Sequence, residues 1–417
     1  MKQYPFPQKR GVQAGLGLFF LALILLSRDT LTALNLVGFV KSQVLTAILV
    51  LALGVIFLCY NRRRMGEILK DPRLKLALLS GALLLLPMLL KRDWQLMYFS
   101  ILFYILTAIF ISCFLDIKTI SRYYLLILSC LAVYSVICTY GLRILPDRGL
   151  LTVPTFRNAV DVEFYNFGLA QVSLEYVKNR NFGIFREPGV YQFFLLLGLF
   201  LNNDTAQWEK PWQLWTINVV LAVTMLSTFA TGGVIEMGLL AIFLFFDKKW
   251  YRRKSARWIA AMLVLAGGCV IGWVLFTDNG IREDLIFMFT KFSDEETGLT
   301  RFDAIGIDFE IFFRHPLLGD RVENVLHVVE SNSTSTMVLY AFLGFFGGSL
   351  SAVSWAALIW DRKRNIFGNL ILMVILFMSF NTQNLSWNIL FWLFPMAALA
   401  QRGLPLLRKG KDEASGA

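Results

Sequence analysis

The sequence predicts an all-α polytopic membrane protein, and three observations carry that prediction. Hydrophobic residues fill 57% of the 417 positions and charged residues only 17%, a balance that no single soluble core of this length requires. Mean hydropathy is +0.60, and the apolar residues gather in runs close to the roughly 20 residues that a spanning helix needs. The basic residues lie between these runs and alternate in density along the chain. About twelve transmembrane helices are expected, in one integral membrane domain over residues 1–417, with two large polar loops at 142–188 and 277–335.

The first expected span covers residues 12–27. Met1 to Arg10 is short and basic, but no small-residue cleavage site follows, so this run reads as a retained anchor. The next four runs lie near 42–60, 74–90, 95–115 and 123–141, and the first large loop follows them. The sixth run, 187–203, begins at Pro188, where the first turn of a helix tolerates a residue without an amide hydrogen. Runs near 212–230, 233–247 and 257–276 lead to the second large loop, and 336–360, 367–381 and 385–401 complete the set. The sixth, eighth and eleventh are short for spans. Glu236 is the main charge within them.

Charge orients the chain. With alternating sides, one face receives Lys2, Lys9 and Arg10, the cluster Arg62 to Lys75, Lys118 and Arg122, and Lys210. It also receives Lys248 to Arg257, Arg362 to Arg364 and Arg402 to Lys411, giving 25 of the 40 basic residues. The short loops of the other face hold only Arg28, Lys41, Lys91 and Arg92. The positive-inside rule then puts both termini in the cytoplasm and both large loops outside. The net charge of +11 is a topology signal, and no aromatic-interleaved basic patch points to nucleic acid.

Other features narrow the function. The five cysteines (Cys59, Cys113, Cys130, Cys138, Cys269) fall within or at the ends of expected spans and read as packing residues. His315 and His327 are the only histidines, and neither stands in a metal-binding spacing. Neither a P-loop nor a dinucleotide fingerprint occurs, so no metal and no cofactor is expected.

The first loop carries Arg143, Arg148 and Arg157, then a stretch Tyr165–Lys178 with apolar Phe167, Leu169, Val172, Leu174 and Val177. That pattern predicts an amphipathic helix on the membrane surface. The loop ends in Arg180-Asn-Phe-Gly-Ile-Phe-Arg186-Glu187-Pro188-Gly189. This places Arg186 and Glu187 at the mouth of the sixth span, where free amides and the helix dipole favour an anion. A lone arginine there would be read as snorkelling to headgroups; two arginines with a carboxylate and a glycine favour a site.

In the second loop, Phe302, Ile305, Phe309, Phe312 and Phe313 recur at helical spacing. Asp303, Asp308 and Glu310 are expected opposite them, Arg301 and Arg314 bracket the helix, and Pro316 and Gly319 end it. Ser331–Thr336 then leads into a span containing Gly344-Phe-Phe-Gly347, a pair that favours close helix packing.

These residues together resemble the O-antigen and capsular polysaccharide polymerases, which share a superfamily with the O-antigen ligases. The resemblance rests on about a dozen spans and on a first large loop closing in Arg180–Gly189. It rests also on a second loop with the arginine-led helix Arg301–Gly319, and on the small hydroxyl-rich corner Leu226–Gly233. It covers nearly the whole chain. One departure stands out: where the ligases carry a histidine before the Gly-x-x-Gly span, this chain has Ser333 and Thr334, with His327 upstream, which favours polymerase over ligase.

The resemblance implies glycosyl transfer on the outer face of a bacterial cytoplasmic membrane. The substrate would be a polyprenyl-pyrophosphate-linked oligosaccharide, with a chain-length regulator and a flippase as partners besides membrane lipid. Pyrophosphate departure needs cations more than acid catalysis. Arginine meets that need with forked, permanently charged contacts of about 1.5–3 kcal/mol each. Arg186, Arg301 and Arg314 are the expected pyrophosphate ligands with Arg180 in support; Glu187 is the expected base, and His315, His327 and Ser333 are alternatives for handling the acceptor. A ligase-type transferase and a lipid-linked oligosaccharide flippase remain open, although a transporter would be expected to carry more mid-membrane charge. The polyprenyl-phosphate-sugar transferases would bring an acidic pair in the first outer loop, which Arg28 and Asp29 do not supply.

Overall fold

The computed structural model describes residues 3–4, 10–158, 162–174, 179–252, 272, 295–328, 334–361, 363–381 and 383–403. Among them the chain is mostly helical. The helices are α1 (Arg10–Leu25), α2 (Phe39–Tyr60), α3 (Met65–Leu69), α4 (Pro72–Lys91), α5 (Leu96–Ile111), α6 (Ile117–Ile137) and α7 (Ile144–Asp147). There follow α8 (Pro188–Asp204), α9 (Pro211–Ser227), α10 (Thr231–Asp247), α11 (Glu295–Arg314) and α12 (Val322–Val328). The last are α13 (Thr336–Ile359), α14 (Ile366–Phe380) and α15 (Ile389–Arg402). Every expected apolar run contains a helix except the ninth, 257–276, which lies almost wholly outside the described residues. Among the described residues, four helices are long and apolar enough to cross a membrane: Val40–Tyr60, Pro72–Lys91, the helix beginning at Ile117, and Thr336–Ile359.

Burial sorts the helices into a centre and a periphery. From Val190 to Leu201 every apolar side chain of α8 is buried, and so is almost all of α15. α15 packs on α5 and α13, and α8 packs on α6 and α9. α2 shows the opposite pattern, with Val40, Val44, Ile48, Leu51 and Val55 all exposed. Helices apolar on every side, buried at the centre and bare at the rim, suit a solvent that is itself apolar.

Polar contacts gather at the two ends of this bundle. At the first end the loops after α1, before α8 and after α14 meet. The Leu31 N–H donates to the Ile184 carbonyl at 2.8 Å, the Asn181 N–H to Ser227 at 2.9 Å and the Ser335 N–H to Phe380 at 2.8 Å. At the second end basic side chains clasp helix ends. Arg73 Nη1 donates to the Ser112 carbonyl at 2.6 Å, Arg122 Nε to that of Ala206 at 2.9 Å, and Arg364 bridges Asp204 and Asp247. Arg73, Arg122 and Arg364, three of the basic residues that alternation assigns to one face, meet at this second end.

The first loop departs from expectation. Thr155–Arg157 (β1), Glu163–Asn166 (β2) and Gln171–Ser173 (β3) form an antiparallel sheet in the order β1-β2-β3, with Phe164 opposite Ser173. The amphipathic helix expected over Tyr165–Lys178 is therefore replaced by strands as far as Ser173, and residues 175–178 lie outside the described residues. Gly168, at φ +82°, reverses the chain where a helix would have continued, and Asn166 Oδ1 accepts its N–H at 2.8 Å. Val172 and Ala170 then pack on Cys138, and Phe164 meets the ring of Phe182.

The second loop does hold the expected helix, α11. Ala304, Asp308 and Ile311 are buried, whereas Phe309 and Phe313 are exposed and stacked, with ring centres 6.1 Å apart. Asp308 thus points inward, where Thr334 donates its hydroxyl to it. Beyond α11, residues 316–320 plug a break in α13. Gly344 has φ +64° and ψ −165° inside that helix, which frees backbone groups on either side. The Phe345 N–H donates to Pro316 at 2.7 Å, and the Asp320 N–H donates to Ala341 at 2.8 Å. Lys91 Nζ donates to the Phe342 and Asp320 carbonyls. The Ala341 and Phe342 carbonyls and the Phe345 N–H thereby regain partners, as an apolar setting demands.

Candidate functional site

The expected site segment, Arg180–Gly189, runs across the first end and is fixed along its length. Arg180 Nε donates to the Thr228 carbonyl at 3.0 Å. The Asn181 amide donates to Ser135 and Ser227 hydroxyls, both at 3.0 Å, and the Gly183 N–H donates to Asn181 Oδ1 at 2.9 Å. Gly183 lies at φ +57° with the Tyr191 ring where a Cβ would stand. The hydroxyl-rich corner between α9 and α10 is thus the seat of this segment.

Arg186 and Glu187 stand at the start of α8, as their spacing from Pro188 predicts. Arg186 Nε lies 3.1 Å from Asp29 Oδ1, and its Nη1 lies 3.1 Å from Glu187 Oε1. The Arg186 N–H also donates to the Asp29 carbonyl at 2.9 Å, and Thr30 forms a bridge with Phe185. The second Asp29 oxygen accepts from Asn388 Nδ2 at 2.8 Å. Arg28 sits on the neighbouring side, its guanidinium carbon 3.9 Å from the centre of the Trp387 ring. The result is a row of alternating charge, Arg28, Asp29, Arg186 and Glu187, drawn from two loops and closed by the turn before α15.

Burial divides the row into support and working surface. The Asp29 side chain is 6% exposed and Arg186 34%, while Glu187 is 47% exposed. Burial alone would push the Arg186 guanidinium down, but the charges of Asp29 and then Glu187 outweigh it and hold its pKa above the ordinary arginine value. Arg28 shifts the other way. Burial pushes it down and Arg186 adds to that, with Asp29 and Tyr104 opposing only in part. Glu187 is the N-cap of α8 and makes no side-chain capping hydrogen bond, so its carboxylate faces Arg186 and the exterior.

The second loop's candidates lie apart. Arg314 pairs with Glu310 one turn back on α11, both exposed, and His315 Nε2 is 3.9 Å from Asp320 Oδ2. Among the described residues neither has a polar contact with Arg186 or Glu187. Arg301 and His327 belong to α11 and α12, but their side chains, and Ser333 altogether, lie outside the described residues. Sequence reasoning missed Asp29, Arg28, Trp387 and Asn388. A charge pair in a short loop and a polar Ser-Trp-Asn turn before an apolar run were the available signals, and nothing in the sequence ties them to position 186.

No family model, no curated protein and no solved structure matches this chain.

Proposed function

We propose that this chain is a glycosyltransferase of the polysaccharide polymerase type, joining polyprenyl-pyrophosphate-linked glycan units at the outer face of a bacterial cytoplasmic membrane. The observation that supports it best is Arg186, held by buried Asp29 at the start of α8 with the exposed Glu187 beside it. In this reading about twelve spans cross the bilayer, the second end faces the cytoplasm with its basic clusters and both termini, and the first end faces out.

The acceptor hydroxyl oxygen attacks the anomeric carbon of the pyrophosphate-linked glycan. The bond from that carbon to the pyrophosphate oxygen breaks, its electron pair leaves with the polyprenyl pyrophosphate, and the configuration inverts. Glu187 accepts the hydroxyl proton, and Arg186 meets the growing negative charge, aided by Arg180, Arg301 and Arg314. No metal and no covalent intermediate is required.

The test is reconstitution of the purified protein with short polyprenyl-pyrophosphate-linked repeat units in the absence of metal, beside Arg186→Ala and Arg301→Ala. A ladder of longer lipid-linked glycans made by wild type and lost in both variants is the expected result. Movement of the lipid across the bilayer with no lengthening of the glycan would replace this reading with a transporter.

A further inference from the structure

The turn between α2 and α4 joins two helices that are long and apolar enough to cross a membrane. With 21 residues in Val40–Tyr60 and 20 in α4, each rises about 30 Å, the thickness of a hydrocarbon core. Set across a bilayer, their joined ends lie at the edge of that core, level with the headgroups of one leaflet. What stands there is basic. Arg62, Arg63, Arg64, Lys70 and Lys75 are all exposed, and Glu67 is the one exposed carboxylate between Arg62 and Lys75.

The array has a fixed shape. Tyr4 donates its hydroxyl to the Glu67 carbonyl at 3.1 Å, Ile68 packs against the core, and the buried Arg73 reaches inward to Asp71 and to the Ser112 carbonyl. Arg62–Arg64 form a single 3-10 turn, and three residues per turn fan the three guanidinium groups apart. Tyr60, Leu69 and Leu74 are exposed beside them, an aromatic ring and two aliphatic side chains suited to the boundary between headgroups and acyl chains. An acidic protein or a nucleic acid would meet the cations and leave that apolar rim bare, whereas a bilayer meets both. We propose that this turn is a binding surface for anionic glycerophospholipids, its arginines taking phosphodiester oxygens from more than one headgroup.

The full-length protein, purified and delipidated in detergent, would be titrated with phosphatidylglycerol and with phosphatidylcholine, and bound copies counted by native mass spectrometry. Phosphatidylglycerol is expected to bind about ten-fold more tightly, the scale set by one or two basic side chains at an anionic headgroup. Arg62→Gln, Arg63→Gln and Arg64→Gln combined should bring the two lipids within about two-fold of each other. Lys70→Gln with Lys75→Gln should remove part of the preference, and this pair decides the matter if the triple variant does not fold. Lys118, Lys249 and Lys363 stand at other helix ends, and their joint replacement by Gln should leave the preference in place. Equal affinity of both lipids for the wild type, or an equal loss in that control, would overturn the proposal. So would tighter binding of polyglutamate than of phosphatidylglycerol, lost in the arginine variant, which would make the turn a dock for an acidic protein.

Discussion

Asp29 holds one arginine with one oxygen and an asparagine amide with the other, so its substitution separates orientation from charge. Asp29→Asn keeps the shape and removes the charge that anchors Arg186. Under the function proposed above, glycan elongation should fall about 10- to 100-fold, the cost of misplacing the group that Asp29 anchors. A double-mutant cycle with Arg186→Gln should give a coupling of about 1–2 kcal/mol in thermal or denaturant unfolding, discounted because Arg186 is partly open to solvent; strict additivity would show that the pair does not act as a unit. At the second end, Asp71 caps α4 through the Arg73 N–H at 2.9 Å. Burial pushes its carboxyl up, but the hydrogen bonds and charge of Arg73 outweigh that and hold it below the usual range. Its stabilisation is therefore complete above an unfolded pKa of about 3.9 and drains away as pH falls through and below that value. Unfolding midpoints measured between pH 6 and 3 should drop less in Asp71→Asn than in wild type.

At the scale of elements, the break in α13 is the feature most open to a single atom. A methyl group on Gly344 would strike the backbone of Leu317 at a φ that favours glycine. Gly344→Ala should destabilise by about 3 kcal/mol or more, whereas Gly238→Ala, where nothing lies within 4 Å, should be neutral or slightly stabilising. Equal unfolding midpoints for the two would refute the fitted plug. The Gly-Phe-Phe-Gly spacing pointed to close approach, but toward another helix; that a loop would do the approaching was not legible. For α11, periodicity located the helix and its end at Pro316, but not that Asp308, on the face opposite the aromatics, would be drawn inward to Thr334. In the first loop Gly168 was the discriminating residue, since φ +82° turns a helical apolar spacing into two short strands.

For the whole molecule, apolar run length placed a helix in each expected run that the described residues cover, because a bilayer sets the length of the apolar stretch. The same sequence could not show which helices are central, as the exposed α2 is more apolar than the buried α8. One second-end junction tests the assembled bundle. Arg364 Nε donates to Asp247 at 3.0 Å and its guanidinium also pairs with Asp204, tying the ends of α8 and α10 to the turn before α14. Arg364→Met leaves the buried Asp204 without this cation and Asp247 with Lys248 and should cost about 3 kcal/mol, read as a lower midpoint in thermal unfolding, with Arg364→Lys recovering part of it.

The amide that closes the polar row comes from Asn388, 359 positions after Asp29. A ribosome adding about 5–20 residues per second needs roughly 20–70 s to cover that interval. Over that interval the early carboxylate is joined first by Arg186, 157 positions on, and still lacks its last donor. Chains that stop short of Asn388 therefore lack the contact that completes the polar row.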